Sequence, residues 1–210
     1  VYKRQVPYLK THGYQIKVLN FVEMERSDGY NPIAYIRDET DVIKLITNLI
    51  KNTTPKGSSS SDPFWERAEA LLLQALIYYI WMEEPKERKN LNRVVELLAE
   101  AQVNENGEMS DLDIRMSYLE KTNPKGSEHP AVRQYKRAMG GAADTVRSIL
   151  ISANSRLAFL ENEKIKRILE RDEMDLPQLG TGVNEDKRTK TALFAVSYTH
   201  LRAHETAANL

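Results

Sequence analysis

Two short apolar segments far apart in the chain restrict the fold more than any other feature. Residues 14–22 are apolar on much of both faces when read with the two-residue period of a strand, and residues 191–196 (TALFAV) form a second such run. Strands of this kind are typical of the interior of a parallel sheet, where their backbone groups find partners. The segments between them recur at helical spacing. The pattern predicts a mainly α chain, with an all-α helical bundle inserted between two parallel strands of an α/β domain that lie side by side or one strand apart.

The region between the strands is predicted to hold five or six helices. Residues 42–50 repeat apolar side chains at helical spacing behind Asp38, a candidate N-cap. Pro63–Glu83 is apolar nearly all round, which is typical of a central helix. Further helices are predicted at residues 90–101, 130–160 and 163–171. A short helix is also predicted to begin after Ser110, where the sequence resembles a capping box. Gly140-Gly141 inside the longest of these indicates a close helix crossing or a kink, because glycine costs about 1 kcal/mol in a helix interior.

Both ends of the chain look foreign to the rest. Residues 1–5 (VYKRQ) and residues 197–210, which begin SYTHLRAHET, resemble translated sequencing-adapter sequence. We therefore expect an open reading frame from a short metagenomic assembly, truncated at both ends, and we exclude these residues from the fold argument. His200 and His204 have zinc-ligand spacing but lie in this tail, so no metal site is inferred from them.

The charge balance argues against a general affinity for nucleic acid. The chain has 30 Lys and Arg and 30 Asp and Glu, and without the two ends 27 basic and 29 acidic residues remain, a net charge of −2. Binding to phosphate requires concentrated positive charge, so any contact with DNA must come from a local patch. The chain has no cysteine, and its longest apolar run is shorter than the roughly 20 residues that cross a bilayer. We expect a soluble chain without membrane contact.

Two PKGS segments, at residues 55–58 and 124–127, invite comparison with a phosphate-binding loop. That loop requires G-x-x-x-x-G-K-[ST], with glycines that let backbone amides surround the phosphate. Here the order is Lys-Gly, the upstream glycine is missing and no strand precedes either segment, so a turn is the better interpretation. TALFAV (residues 191–196) is followed at once by the adapter-like tail, with no acidic residue directly after the strand where one could hold magnesium. We therefore expect no catalytic residue, no cofactor and no metal site, and no ATP hydrolysis by this chain.

Four residues are the candidates for partner binding: Phe64, Arg133, Lys136 and Arg137. Phe64 lies off the main apolar stripe of its helix, and exposed aromatic residues are frequent at binding hot spots. The three cations, with Arg147, can share one side of the predicted 130–160 helix, and a second basic cluster follows at residues 164–171. Local packing by Phe64 and a solvated charged face are the alternatives, and they stay open.

Several segments resemble the TraG/TraD-type conjugative coupling proteins of type IV secretion systems, the VirD-like DNA transfer ATPases. The resemblance is carried by the strand followed by SDGYNP (residues 27–32), by the helix start DPFWE (residues 62–66), by SILISANSRL (residues 148–157) and by KTALFAV (residues 190–196). Residues 86–127 match only in helical character. The resemblance implies a truncated RecA-like domain with a helical insertion, whose catalytic motifs lie outside this chain.

The resemblance also implies an organisation and a role. Residues 6–37 would belong to the RecA-like nucleotide-binding domain, residues 38–173 to the all-α insertion domain, and residues 174–196 to the return strand. The parent would be a homo-hexameric ATPase that uses ATP and Mg²⁺ and is anchored at the cytoplasmic face of the inner or plasma membrane. The insertion would recognise the relaxase, and with it single-stranded DNA, for delivery to the conjugation channel. The helical insertion of another RecA-like DNA motor and a free-standing helical adaptor remain the alternative interpretations.

Overall fold

A computed structural model describes residues 2–54, 63–101, 108–181 and 188–197. The described residues form nine α-helices and two β-strands, which confirms the mainly α prediction. In chain order the elements are α1 (Tyr2–Thr11), β1 (Gln15–Asn20), α2 (Glu39–Thr53), α3 (Pro63–Glu83), α4 (Asn92–Glu100), α5 (Asp111–Thr122), α6 (Pro130–Met139), α7 (Ala143–Leu157), α8 (Glu163–Glu170), α9 (Leu176–Thr181) and β2 (Thr191–Val196).

The chain divides into two compact units. The strand unit consists of Val1–Asn31 and Glu163–Leu210, and the helical unit consists of Pro32–Asn162. The helical unit is therefore inserted into the strand unit in sequence. Its limits differ from residues 38–173, the range expected for the insertion. The segment that begins at Pro32 belongs to the helical unit, and helix α8 belongs to the strand unit.

The two strands of the strand unit pair directly and in parallel, as predicted. Ile16 lies opposite Ala192 and Asn20 lies opposite Val196. The prediction that both strands are buried is wrong for the described residues, since most of their side chains are half-buried or exposed. The reason is that each strand has one strand neighbour in the described sheet. Residues 176–181, predicted as part of a loop, form α9, because a proline in the first turn of a helix loses no hydrogen bond.

The SDGYN segment (residues 27–31) occupies the edge of β1 that faces away from β2. Asp28 accepts a hydrogen bond from the Val18 amide at 2.7 Å and donates its own amide to the Val18 carbonyl at 2.8 Å. Ser27 Oγ accepts from the Asn20 amide at 3.0 Å. On the other side, Gln15 and Phe21, at the two ends of β1, donate their amides to the carbonyls of Lys190 and Val196. The segment thus satisfies backbone groups that would otherwise lie open at a strand edge.

The same segment binds the chain that follows α8. Gly29 donates its amide to the Glu173 carboxylate at 2.7 Å and accepts from the Glu173 amide at 2.9 Å. The Asn31 amide donates to Asp172 at 3.1 Å. A Cβ atom on residue 29 would lie 2.4 Å from the backbone oxygen of Arg171, so only glycine fits there.

Replacing Gly29 by alanine is therefore expected to destabilise the strand unit. The added methyl group must displace backbone, and overpacking of this kind costs about 1–3 kcal/mol. Gly180→Ala is the matched control, because a Cβ atom at Gly180 meets nothing within 4 Å. Urea unfolding of both variants measures the effect. A Gly29→Ala variant as stable as Gly180→Ala would show that the close contact with Arg171 does not exist.

Helix α3 is the centre of the helical unit, as its sequence predicts. Leu72, Leu76 and Ile80 are fully buried, and so are other residues on the remaining faces of the helix. Helices α2, α4, α6 and α7 pack against it. The N-caps predicted at Asp38 and Ser110 are both formed. The cap predicted at Asp62 lies outside the described residues.

The single helix predicted for residues 130–160 is wrong. The structure has two helices there, α6 and α7, separated at Gly140-Gly141, and a 3-10 turn, Ala158–Glu161, after the second. Gly140 follows the last residue of α6, and a Cβ atom on it would lie 2.8 Å from the Lys136 carbonyl oxygen. The backbone of Ala142 is extended (φ −62°, ψ 149°), which restarts the chain in a new direction. Arg147 therefore lies on a different helix from Arg133, Lys136 and Arg137.

Candidate partner-binding surface

Three of the four candidate residues lie together on α6. Arg133, Lys136 and Arg137 are three and four residues apart, so they share one face of the helix. Phe64 lies in the first turn of α3, where 51% of its surface is exposed, and its ring meets the edge of Trp65 at a centroid distance of 5.2 Å. The structure thus joins the three cations and places the aromatic candidate on another element.

The positive charge of this face is largely matched by neighbours. Lys136 forms an ion pair with Glu120 of α5, and Arg133 lies 3.9 Å from the carboxylate of Glu128. Arg137 donates to the neutral side chain of Gln134 at 3.5 Å, so its charge is not compensated by that contact. A face with two of its three charges opposed by carboxylates attracts phosphate weakly.

A cleft of about 260 Å³ separates the facing sides of α5 and α6. Its apolar lining comes from Met116, Val132 and Met139, and its polar lining includes Ser117 and the paired Glu120 and Lys136. Lys136 is thus the one predicted residue that borders this concave surface. A cleft of this size has room for a large side chain of a partner but is small for a drug-sized ligand.

Asp113 holds the N-terminal end of this cleft in place. Its carboxylate accepts from the Ser110 amide at 2.9 Å and from the hydroxyls of Ser110 and Tyr135, both at 2.7 Å. Burial opposes its charge, but the hydrogen bonds from Ser110 and Tyr135 outweigh burial and lower the pKa of Asp113. Burial, together with the same hydrogen bond to Asp113, raises the pKa of Tyr135. Asp113 is therefore a fixed negative charge that joins α5 to α6.

Two exposed apolar residues on α5 were not predicted from the sequence. Ile114 and Tyr118 of α5 are 55% and 68% exposed and lie four residues apart, on one face. The signal in the sequence is that α5 has apolar residues on opposite sides: Leu112, Met116 and Leu119 form its buried side. Whether the side of α5 that carries Ile114 and Tyr118 is exposed depends on which elements pack against it, and the periodicity of the sequence does not specify those elements.

A buried ion pair joins α3 to SILISANSRL (residues 148–157), one of the segments that carry the family resemblance. Glu69 of α3 is 1% exposed and accepts two hydrogen bonds from the guanidinium of Arg156 of α7. Ser152 donates to the same carboxylate at 3.0 Å. Arg156 also donates to the Ile50 carbonyl and to the hydroxyls of Thr53 and Thr54, which closes the C-terminal end of α2. One side chain therefore joins α2, α3 and α7.

The second PKGS segment is a turn, as predicted. The Lys125 amide donates to the side chain of Asn123 at 3.0 Å, and Gly126 has a positive φ of 51° inside a 3-10 turn that leads into α6. In the described part of the chain, the element before this segment is helix α5. The first PKGS segment, residues 55–58, lies outside the described residues.

Within the residues that the structure describes, no group of three or more His, Cys, Asp or Glu side chains is arranged to hold a metal ion. Among the helices that the structure describes, none is both long enough and apolar enough to cross a membrane.

An insertion of helices between two paired parallel strands is the arrangement that the resemblance predicts for a conjugative transfer protein. Residues 5–197 match the family described as type IV secretory system conjugative DNA transfer. The chain belongs to this family. The matched range differs by one residue at each end from residues 6–196, the part treated as native in the sequence argument. No curated protein matches the chain.

Proposed function

We propose that the helical unit recognises the transfer substrate of a type IV secretion coupling protein, and that this protein delivers relaxase-bound DNA to the conjugation channel. Family membership supports the system. The observation that carries the specific role is the pairing of the α6 cations with Glu120 and Glu128. With that charge compensated and a net charge near zero, protein contacts are the better explanation for recognition than phosphate contacts.

The rest of the machinery belongs to the parent protein in this proposal. The parent is a homo-hexameric ATPase of RecA-like fold, anchored at the cytoplasmic face of the membrane, and it supplies the sites for ATP and Mg²⁺. Family membership favours this proposal over the insertion of another DNA motor and over a free-standing adaptor, and the direct pairing of β1 with β2 also argues against an adaptor.

The 210-residue chain is expected neither to bind nor to hydrolyse ATP. Its sequence has no G-x-x-x-x-G-K-[ST] loop, and no acidic residue directly follows its second apolar strand, residues 191–196. Isothermal titration with ATP and Mg²⁺ checks this. Saturable binding that is lost in Lys125→Ala would overturn the interpretation of residues 124–127 as a simple turn, and binding that persists in that variant would place an ATP site elsewhere.

The substrate-recognition role is tested by comparing DNA and protein binding in the same chain. We expect weak binding of single-stranded DNA that falls steeply between low and moderate salt, and retention of a relaxase from a conjugative element that changes little with salt. Phe64→Ala is expected to reduce relaxase retention, since truncation of an aromatic hot-spot residue costs about 2 kcal/mol or more.

One result would contradict recognition through protein contacts. Tight DNA binding that disappears when Arg133, Lys136 and Arg137 are neutralised, with no relaxase retained, would make the helical unit a nucleic-acid clamp. Arg147→Ala is the matched control, because Arg147 is a half-exposed cation on α7 outside the α6 face.

A further inference from the structure

We infer that residues 27–31 and 168–173 form a clasp that keeps β1 and β2 together when the helical unit unfolds or changes shape. The two strands belong to different segments of the chain, one before and one after the helical unit, Pro32–Asn162. The clasp joins these two segments through hydrogen bonds that lie inside the strand unit. This property of the strand unit does not depend on what the helical unit binds, so it goes beyond the proposed function.

The clasp is built mainly from backbone amides. Three consecutive amides of the first segment donate to acceptors in the second segment: Gly29 to the Glu173 carboxylate at 2.7 Å, Tyr30 to the Ile168 carbonyl at 2.7 Å and Asn31 to the Asp172 carboxylate at 3.1 Å. Gly29 also accepts from the Glu173 amide at 2.9 Å. A Cβ atom on residue 29 would overlap the backbone oxygen of Arg171, so the two segments are in direct backbone contact.

The clasp is attached to β1 on one side and to the chain that leads to β2 on the other. On the first side, Asp28 exchanges two hydrogen bonds with the backbone of Val18. On the second side, the carboxylate oxygen of Asp172 that does not contact Asn31 accepts the Asp175 amide at 3.2 Å. Asp175 has a left-handed φ of 49° and turns the chain into α9, which packs against β2. The clasp thus connects the two strands by a route separate from their own pairing.

Unfolding of the helical unit removes none of these bonds, because each of them joins two residues of the strand unit. It does replace a folded insertion by a long flexible loop between the two segments. The entropic cost of closing a flexible loop grows only with the logarithm of its length, so a long insertion opposes the clasp only slightly more than a short one. Groups of residues bonded among themselves open as separate cooperative units. The strand unit can therefore keep β1 paired with β2 while the helical unit rearranges.

The test is to unfold the helical unit within the 210-residue chain and to measure hydrogen exchange in the strand unit. Leu72→Asp together with Leu76→Asp places two charges at fully buried positions of α3, which abolishes the packing of the helical unit. Circular dichroism is expected to show the loss of most of the helix. Exchange followed by NMR is expected to leave the amides of Val18, Gly29 and Asn31 about tenfold or more slower than in the urea-unfolded chain.

Adding Gly29→Ala to the double leucine variant shows whether the clasp is responsible for this protection. It is expected to make the amides of Val18 and Asn31 exchange about tenfold faster, because the added methyl group separates the two segments. Gly180→Ala in the same variant is the control and should leave their exchange unchanged, since a Cβ atom there meets nothing within 4 Å. Two results would overturn the inference. One is exchange of these amides at the urea-unfolded rate in the double leucine variant, and the other is equal exchange in the Gly29→Ala and Gly180→Ala variants.

Discussion

Arg156→Ala is expected to lower the free energy of unfolding of the helical unit by about 3–5 kcal/mol, because it leaves the carboxylate of Glu69 buried without its cation. The variant also loses the hydrogen bonds that close the end of α2 at Ile50, Thr53 and Thr54. Since domains are stable by only about 5–15 kcal/mol, this single change is expected to bring the unit close to unfolding. Urea unfolding followed by circular dichroism measures it.

Arg147→Ala on the same helix is the control for Arg156→Ala. Arg147 pairs with Asp144, whose side chain is 95% exposed, so its loss should cost no more than about 0.5 kcal/mol. Replacing both Glu69 and Arg156 by leucine should recover part of the lost stability, since no buried charge is then left alone. The part not recovered reports the contacts of Arg156 with α2. If Arg156→Ala were as mild as Arg147→Ala, the buried connection between α3 and α7 would be absent.

Arg93→Ala is expected to have an effect of similar size, about 3–5 kcal/mol, for the same reason. The side chains of Arg93 and Glu84 are 5% and 7% exposed, and they form an ion pair at 2.6 Å between α4 and the end of α3. Burial opposes the charge of Arg93, but hydrogen bonds to Glu84 and Glu96 outweigh burial and raise its pKa. Removing the guanidinium takes away the partner of Glu84 at 2.6 Å, and the half-exposed Arg88, 3.8 Å away, compensates the buried carboxylate weakly.

Arg88→Ala is a closely matched control for Arg93→Ala, because Arg88 contacts the same two carboxylates, Glu84 at 3.8 Å and Glu96 at 3.0 Å. Its side chain is 50% exposed, so we expect a loss of about 0.2–1 kcal/mol. Guanidinium unfolding curves for both variants give the comparison. Equal losses would mean that burial does not distinguish the two arginines and that the buried network contributes little.

Features that depend on local sequence were predictable. Asp38 and Ser110 form their N-caps because the acceptor and the amides it satisfies lie within three residues of each other. The central place of α3 follows from apolar residues on all its faces, and the pairing of β1 with β2 follows from two apolar strands that need partners. Each of these inferences depends on residues within the segment concerned and not on a distant contact.

Features that depend on distant contacts were not predictable in the same way. The apolar spacing of residues 130–160 continues across Gly140-Gly141, so periodicity did not reveal that the helix ends there. Ile114 and Tyr118 look like packing residues until the structure shows their side of α5 exposed. The ion pair between Glu69 and Arg156 joins positions far apart in sequence, and the residues around each one do not indicate its partner.

The most direct test of a helical unit that recognises protein is the affinity of the 210-residue chain for three titrants at moderate salt. These are a relaxase, single-stranded DNA, and the same relaxase bound to its DNA, each measured by calorimetry. We expect equal affinities for free and DNA-bound relaxase. We expect the affinity for DNA alone to be at least a hundredfold weaker than either. An affinity for DNA alone that equals that for the complex, with free relaxase not bound, would contradict these expectations.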